Sequence, residues 1–177
     1  MKKSKLPKLL ILVLLVMAFA SVVVVGIFQQ DADNVVAATA RSFPEFQSVS
    51  LLNDTQVIDE KTLKGKGYQL VNVWASWCGV CLSEHDFLVE LQTQGVPIIG
   101  LNYRDKKKAA KRYLIEQENP YNAVIYDPNG RLAIDLGVIG TPETYLVDNE
   151  GKIVKKAVGR LTNTLWNTHF SEYFNEG

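Results

Sequence analysis

Two cysteines in a chain of 177 residues stand three apart, in Trp77-Cys78-Gly79-Val80-Cys81. Where a strand gives way to a helix, that spacing lets the sulfurs close a disulfide across one helical turn, the geometry that dithiol redox chemistry needs. A free thiol has a pKa of about 8.5 and is a poor nucleophile at neutral pH, but the unpaired N–H groups and dipole of a helix start favour its thiolate. Cys78 is therefore the expected attacking sulfur. Cys81, one turn further in, is the expected resolving sulfur, displacing Cys78 from a mixed disulfide.

The same spacing has other uses. A structural zinc ion usually takes four ligands, and Cys78, Cys81, His85 and His169 suffice by composition. A partial site of Cys78, Cys81 and His85, as in a copper chaperone, also stays open. Haem attachment needs histidine directly after the second cysteine, and Leu82 stands there, which excludes it. A purely structural disulfide closing so short a loop would stabilise little. The redox reading itself calls for no cofactor and no metal.

The elements that must position the pair alternate between strand and helix, the pattern of an α/β domain. The apolar run Gln69 to Trp74 reads as a strand feeding a helix from about Cys78 to Gln94, with Phe87, Leu88 and Leu91 as its apolar stripe and Gly95 as its stop. Val96 to Leu101 reads as a buried strand, and Asp105 as the cap of a helix from Lys106 to about Gln117. A brief strand at Ala123 to Tyr126 precedes a helical turn at Arg131 to Leu136. Thr144 to Val147 and Lys152 to Val158 flank Asp148-Asn149-Glu150-Gly151 as a hairpin, and an amphipathic helix from Thr162 to Phe174 closes the chain.

The first thirty residues bear on compartment. Lys2, Lys3, Lys5 and Lys8 precede Leu9 to Phe28, 20 residues with no charged side chain, about the length that spans a bilayer as a helix. The lysines place the N-terminus in the cytoplasm. Ala18-Phe19-Ala20 has the form of a signal-peptidase site, but Val22 to Val25 and Ile27-Phe28 prolong the apolar run, and an uncleaved anchor is the preferred reading. The expected organisation is therefore a tail and anchor over 1–28, a tether over 29–41 and one domain over 42–177. Beyond the leader, 15 basic residues face 19 acidic ones; a mildly acidic domain gives no reason to expect nucleic-acid binding.

With W-C-x-x-C opening the first long helix and Gly140-Thr141-Pro142 just ahead of a hairpin strand, these elements resemble the thioredoxin fold, a central mixed sheet flanked by helices. The resemblance implies a cis peptide at Thr141-Pro142 lying against the cysteines. Asn72 to His85 (N-V-W-A-S-W-C-x-x-C-x-x-E-H), Gly100 to Asp105, Asn119 to Tyr121 and Asp135 to Thr144 (D-L-G-V-x-G-x-P-E-T) together resemble the membrane-anchored thiol:disulfide interchange proteins of cytochrome c maturation, the DsbE/CcmG family. Ile139 departs from it, since many relatives carry an aromatic residue there. The resemblance implies a periplasmic reductant on the bacterial inner membrane. Its implied clients are apocytochrome c or a partner thiol protein, and its implied electron donor is a transmembrane thiol reductase. A general disulfide reductase or isomerase is the neighbouring reading.

Residue chemistry agrees with the reducing direction. Gly79 and Val80 put no charge between the cysteines, while Glu84 and Glu143 are expected to bring negative charge near the sulfurs and oppose the thiolate. Their plainer readings are a solvated first-turn carboxylate and an exposed strand-edge acid. Trp77, Thr141 and Pro142 are the expected substrate contacts, and Trp74 is expected in the core. His85 reads as a polar residue on the exposed side of its helix and His169 as a packing or surface residue. Lys106, Lys107, Lys108, Lys111 and Arg112 read as a solvated face, with docking to an acidic partner as the other use.

Overall fold

The computed structural model describes residues 6–29 and 35–174, with side chains described over 10–24 and 41–174. Lys2, Lys3 and Lys5 and the part of the expected tether at 30–34 lie outside the described residues. Helix α1 spans Leu6–Gln29 and forms a unit apart from the chain that begins at Val35. Among the described residues no helix is long and apolar enough to cross a membrane.

From Val35 onward the chain builds a six-stranded mixed sheet flanked by helices. Its strands are β1 (Val35–Ser42), β4 (Gln69–Trp74), β5 (Ile98–Tyr103), β6 (Ala123–Asp127), β7 (Glu143–Val147) and β8 (Lys152–Val158), in the spatial order β1-β8-β7-β4-β5-β6. β4, β5 and β6 run parallel, while β7 is antiparallel to β4 and to β8. A small ribbon pairs β2 (Gln47–Val49) with β3 (Val57–Asp59). β4 is buried along its whole length, as a central strand covered on both faces must be. One core layer contains Leu70, Trp74, Leu88, Leu91 and Phe170, and the other Val71, Val73, Leu101, Tyr145 and Val147.

The tether expected over 29–41 is shorter than predicted. Val35 onward forms β1, with Val35 opposite Ala157 and Ser42 opposite Lys152; a sheet-edge strand needs little hydrophobicity, so this alanine-rich stretch gave no strong strand signal. Helix α2 covers Gly79–Thr93 with Cys78 as its N-cap, and Gly95 ends it at φ +89°, a conformation that suits glycine. Helix α3 is Lys107–Glu116, and Asp105 does not cap it: Lys106 occupies that position without a side-chain bond. Helix α4 (Arg131–Asp135) matches the expected turn. The last helix is shorter than expected, α5 running Asn163–His169 before a 3-10 turn at Ser171–Tyr173.

Candidate functional site

Cys78 and Cys81 are joined as a disulfide with their Cα atoms 5.3 Å apart. The abrupt passage from β4 to α2 puts the pair just beyond the C-terminal end of a central strand, where Cys78 is 7% exposed and Cys81 3%. Cys78 Sγ caps the helix, accepting the N–H of Cys81 at 3.1 Å. When the bond is reduced, that same donor and the helix dipole stabilise negative charge on Cys78. Thr141-Pro142 is cis and brings the Thr141 carbonyl oxygen to 3.7 Å from Cys78 Sγ. Cys78 Sγ therefore lies between a helix start and the loop that carries Thr141.

Trp77 lies open beside the pair, 59% exposed, its indole N–H donating to the Arg104 carbonyl at 3.1 Å. The segment leading to it is pinned by Asp105, which accepts from the Ser76 N–H (2.6 Å), the Ser76 hydroxyl (2.8 Å), Asn102 Nδ2 (3.0 Å) and the Lys106 N–H (2.7 Å). This anchoring carboxylate replaces the helix cap expected there.

Glu84 is 1% exposed, so its reading as a solvated first-turn carboxylate is corrected. The buried stripe of α2 is Cys81, Glu84, His85, Leu88 and Leu91; with Cys81 and Leu88 facing inward, helical periodicity turns Glu84 and His85 inward too. Glu84 accepts from Asn72 Nδ2 at 2.9 Å and from the Leu161 N–H at 2.6 Å. Asn72 also donates to Thr144 Oγ1 and accepts from the Tyr121 hydroxyl at 2.9 Å. Burial pushes the Glu84 carboxyl up to about 7, and the Leu161 N–H, Asn72 and the charge of Arg160 offset only part of that rise. Burial and the nearby Glu84 raise Tyr113 to about 12 and Tyr121 well above its ordinary value. Gly100 makes room for this layer: a Cβ there would lie 2.8 Å from Trp74 Nε1 and 3.0 Å from the Tyr121 ring.

Glu143 is fully buried, which corrects its reading as an exposed edge acid. Its Oε1 accepts the Ile139 N–H at 2.9 Å, and its Oε2 accepts the Tyr145 hydroxyl at 2.7 Å and pairs with Lys156 Nζ at 3.0 Å. The ammonium offsets the negative charge that the sequence reading directed at the sulfurs.

The expectation for His85 also fails. It is buried, with Nε2 against the Glu118 carbonyl at 2.8 Å and Nδ1 against the Tyr113 hydroxyl at 3.2 Å. Both ring nitrogens are engaged, which removes the third ligand from the copper and zinc arrangements. Among the described residues, no group of three or more His, Cys, Asp or Glu is placed to hold a metal ion. His169 ends α5, its carbonyl accepting from Lys155. Trp74 lies in the core, stacked on Tyr121 with centroids 5.5 Å apart. On α3, Lys107 and Lys111 pair with Asp54. Asn72, Tyr121, Tyr145 and Lys156 were given no site role by the sequence reading, although Asn72 and Tyr121 fall in stretches that carry the family resemblance and Asn72 is a polar residue inside the apolar run of β4.

The Redoxin family model matches residues 38–175. The thiol:disulfide interchange protein DsbE of Vibrio cholerae is 43% identical over 126 residues, 71% of this chain and 68% of that protein. The protein of the same name from Pseudomonas aeruginosa is 39% identical over 151 residues, 85% of this chain and 83% of that protein. Among solved structures, a secreted thiol-disulfide isomerase from Corynebacterium glutamicum superposes with a TM-score of 0.68 at 21% identity, over 82% of this chain and 95% of that one. At that identity the likeness concerns the fold, which is thioredoxin-like.

Proposed function

We propose that this chain, which belongs to the DsbE family of thiol:disulfide interchange proteins and is a thiol-disulfide oxidoreductase, works as a reductant in cytochrome c maturation, opening the disulfide of apocytochrome c or of a partner thiol protein before haem attachment. The reducing direction rests on one observation above all. The cysteines enclose only the uncharged Gly79-Val80, and the carboxylate one turn beyond Cys81, Glu84, is buried with no cation bonded to it. In its ionised form, which a carboxyl pushed up to about 7 reaches only near and above neutrality, Glu84 opposes a thiolate and so disfavours the reduced state, which makes the protein a readier electron donor there.

In the proposed cycle the Cys78 thiolate attacks one sulfur of the client disulfide. A Cys78–client disulfide forms and the other client sulfur leaves as a thiolate that takes up a proton. The Cys81 thiol, losing its proton, then attacks Cys78 Sγ, so the client leaves as a dithiol two electrons richer and the Cys78–Cys81 disulfide closes. Glu84, with its carboxyl pushed up to about 7, suits the role of accepting the Cys81 proton near neutrality. Thr141 and Pro142 supply backbone for an extended client and Trp77 an aromatic edge. The oxidised protein is recharged by a transmembrane thiol reductase.

The setting is the bacterial inner membrane, with the N-terminus cytoplasmic, the anchor within about 9–28 and the domain periplasmic. Support comes from the uncharged run Leu9 to Phe28 within α1 and from its exposed apolar side chains, such as Leu14 and Phe19. Equilibration with a thiol buffer tests the direction: a reduction potential well below the about −120 mV of a strong oxidant is expected, and a value near it would overturn the assignment. Trapping clients in cells with Cys81→Ala tests the specific role. Mixed disulfides with cytochrome c precursors or their assembly factors are expected, and a catch without either would leave only a general reductase.

A further inference from the structure

We propose that Lys156 is a positioning residue for substrate: through its ion pair with the buried Glu143 it holds the 137–141 segment over Cys78, and so sets how tightly a peptide disulfide docks. The inference rests on the reading of Cys78 as the attacking sulfur.

Glu143 and Tyr145 lie two apart on β7 and share a face, and Lys156 is directly opposite Tyr145 on β8. The three side chains meet: Lys156 Nζ pairs with Glu143 Oε2 at 3.0 Å and lies 5.4 Å from the Tyr145 ring centroid, and the Tyr145 hydroxyl donates to the same carboxylate at 2.7 Å. Both ends of this cluster grip the loop. Glu143 Oε1 takes the Ile139 N–H, and Lys156 Nζ donates to the Gly137 carbonyl at 2.9 Å. The Arg41 guanidinium adds a bond to the Leu136 carbonyl. Two residues beyond Ile139 comes Thr141, whose carbonyl is 3.7 Å from Cys78 Sγ.

A carboxylate taken wholly out of water is costly unless it is paired and hydrogen-bonded. Here every partner of that carboxylate either belongs to the loop or fixes the carboxylate beneath it. Meanwhile the Ile139 side chain is 81% exposed, and Trp77 and Val80 beside the cysteines are exposed as well. An exposed apolar side chain on a backbone clamped from below suits contact with a client's apolar side chain next to its cysteine. Lys156 is 18% exposed and touches no sulfur, so its effect is exerted through the loop.

The test mixes the reduced full chain with excess of a disulfide-closed Cys-x-x-Cys-His peptide and follows single-turnover oxidation. For Lys156→Met the half-saturating peptide concentration rises roughly tenfold or more, since a docking loop that must be ordered on binding costs affinity, while the limiting rate and the reduction potential stay as in the parent. Lys156→Arg restores most of the affinity. Should Lys156→Met not fold, Tyr145→Phe, which withdraws one donor from Glu143, is read by the same split. Unchanged half-saturation overturns the inference, as does a tenfold change in the thiol-buffer equilibrium, about 30 mV, because then the pair tunes the sulfurs. If the parent chain itself forms no mixed disulfide at Cys78, the underlying reading fails instead.

Discussion

Two buried carboxylates, one on the helix that carries the cysteines and one next to Pro142, are treated differently by the fold. Glu84, on the helix side, receives only neutral donors, Asn72 and the Leu161 N–H, and its carboxyl is pushed up to about 7. Glu143, on the loop side, is equally removed from water but holds the Lys156 ammonium at 3.0 Å together with a tyrosine hydroxyl and a backbone N–H. Burial alone therefore does not assign a role. A buried acid bonded only to neutral donors, as Glu84 is, can change its charge near neutral pH; one paired with an ammonium and hydrogen-bonded to a loop, as Glu143 is, works as a fastening.

The sharpest way to break this contrast is to neutralise each acid in turn. Glu143→Gln leaves Lys156 without its counterion and is expected to destabilise the domain by about 3 kcal/mol at pH 8, read by denaturant unfolding. Glu84→Gln is expected to do the reverse at that pH. In the folded chain Glu84 holds its proton up to about 7, above its unfolded value of 4.5. Between those values the folded state binds more protons than the unfolded one, so stability falls as pH rises from about 4.5 to about 7, by about 3 kcal/mol in total. Stability curves across that window should slope downward for the parent and be flat for the variant. An unchanged slope would show that Glu84 ionises freely.

Asn72→Ala sharpens the helix side. It removes a donor to Glu84 and the acceptor of the Tyr121 hydroxyl, and should cost about 1–3 kcal/mol while moving the Glu84 titration to still higher pH, as seen by carboxyl infrared bands. The smallest stability effect belongs to the exposed rim. Trp77→Ala breaks one bond to the Arg104 carbonyl and should stay within about 0.5 kcal/mol of the parent, yet yield less mixed disulfide with peptide clients.

Much of this was legible in the chain. The strand-to-helix step at Trp74 to Cys78 and the Asp148–Gly151 hairpin follow from period and turn chemistry. The inward face of α2 was legible only in part: Leu88 and Leu91 were placed on it, but helical spacing from Cys81 and Leu88 turns Glu84 and His85 inside too. β1 was missed because Val35–Ser42 is too polar and alanine-rich to announce itself, and gains its order from the open edge of β8. Lys156 could not have been found. It lies thirteen residues beyond Glu143, and only the register of β7 on β8, which sets it opposite Tyr145, joins it to the acid.

The central claim is that Cys78, at the tip of α2, is the sulfur that ionises and is reached first. Limiting iodoacetamide applied to the folded, fully reduced protein at pH 7, followed by peptide mass analysis, tests it directly. The account predicts alkylation at Cys78 with Cys81 largely spared. Modification of Cys81 first, or of neither cysteine, would contradict it.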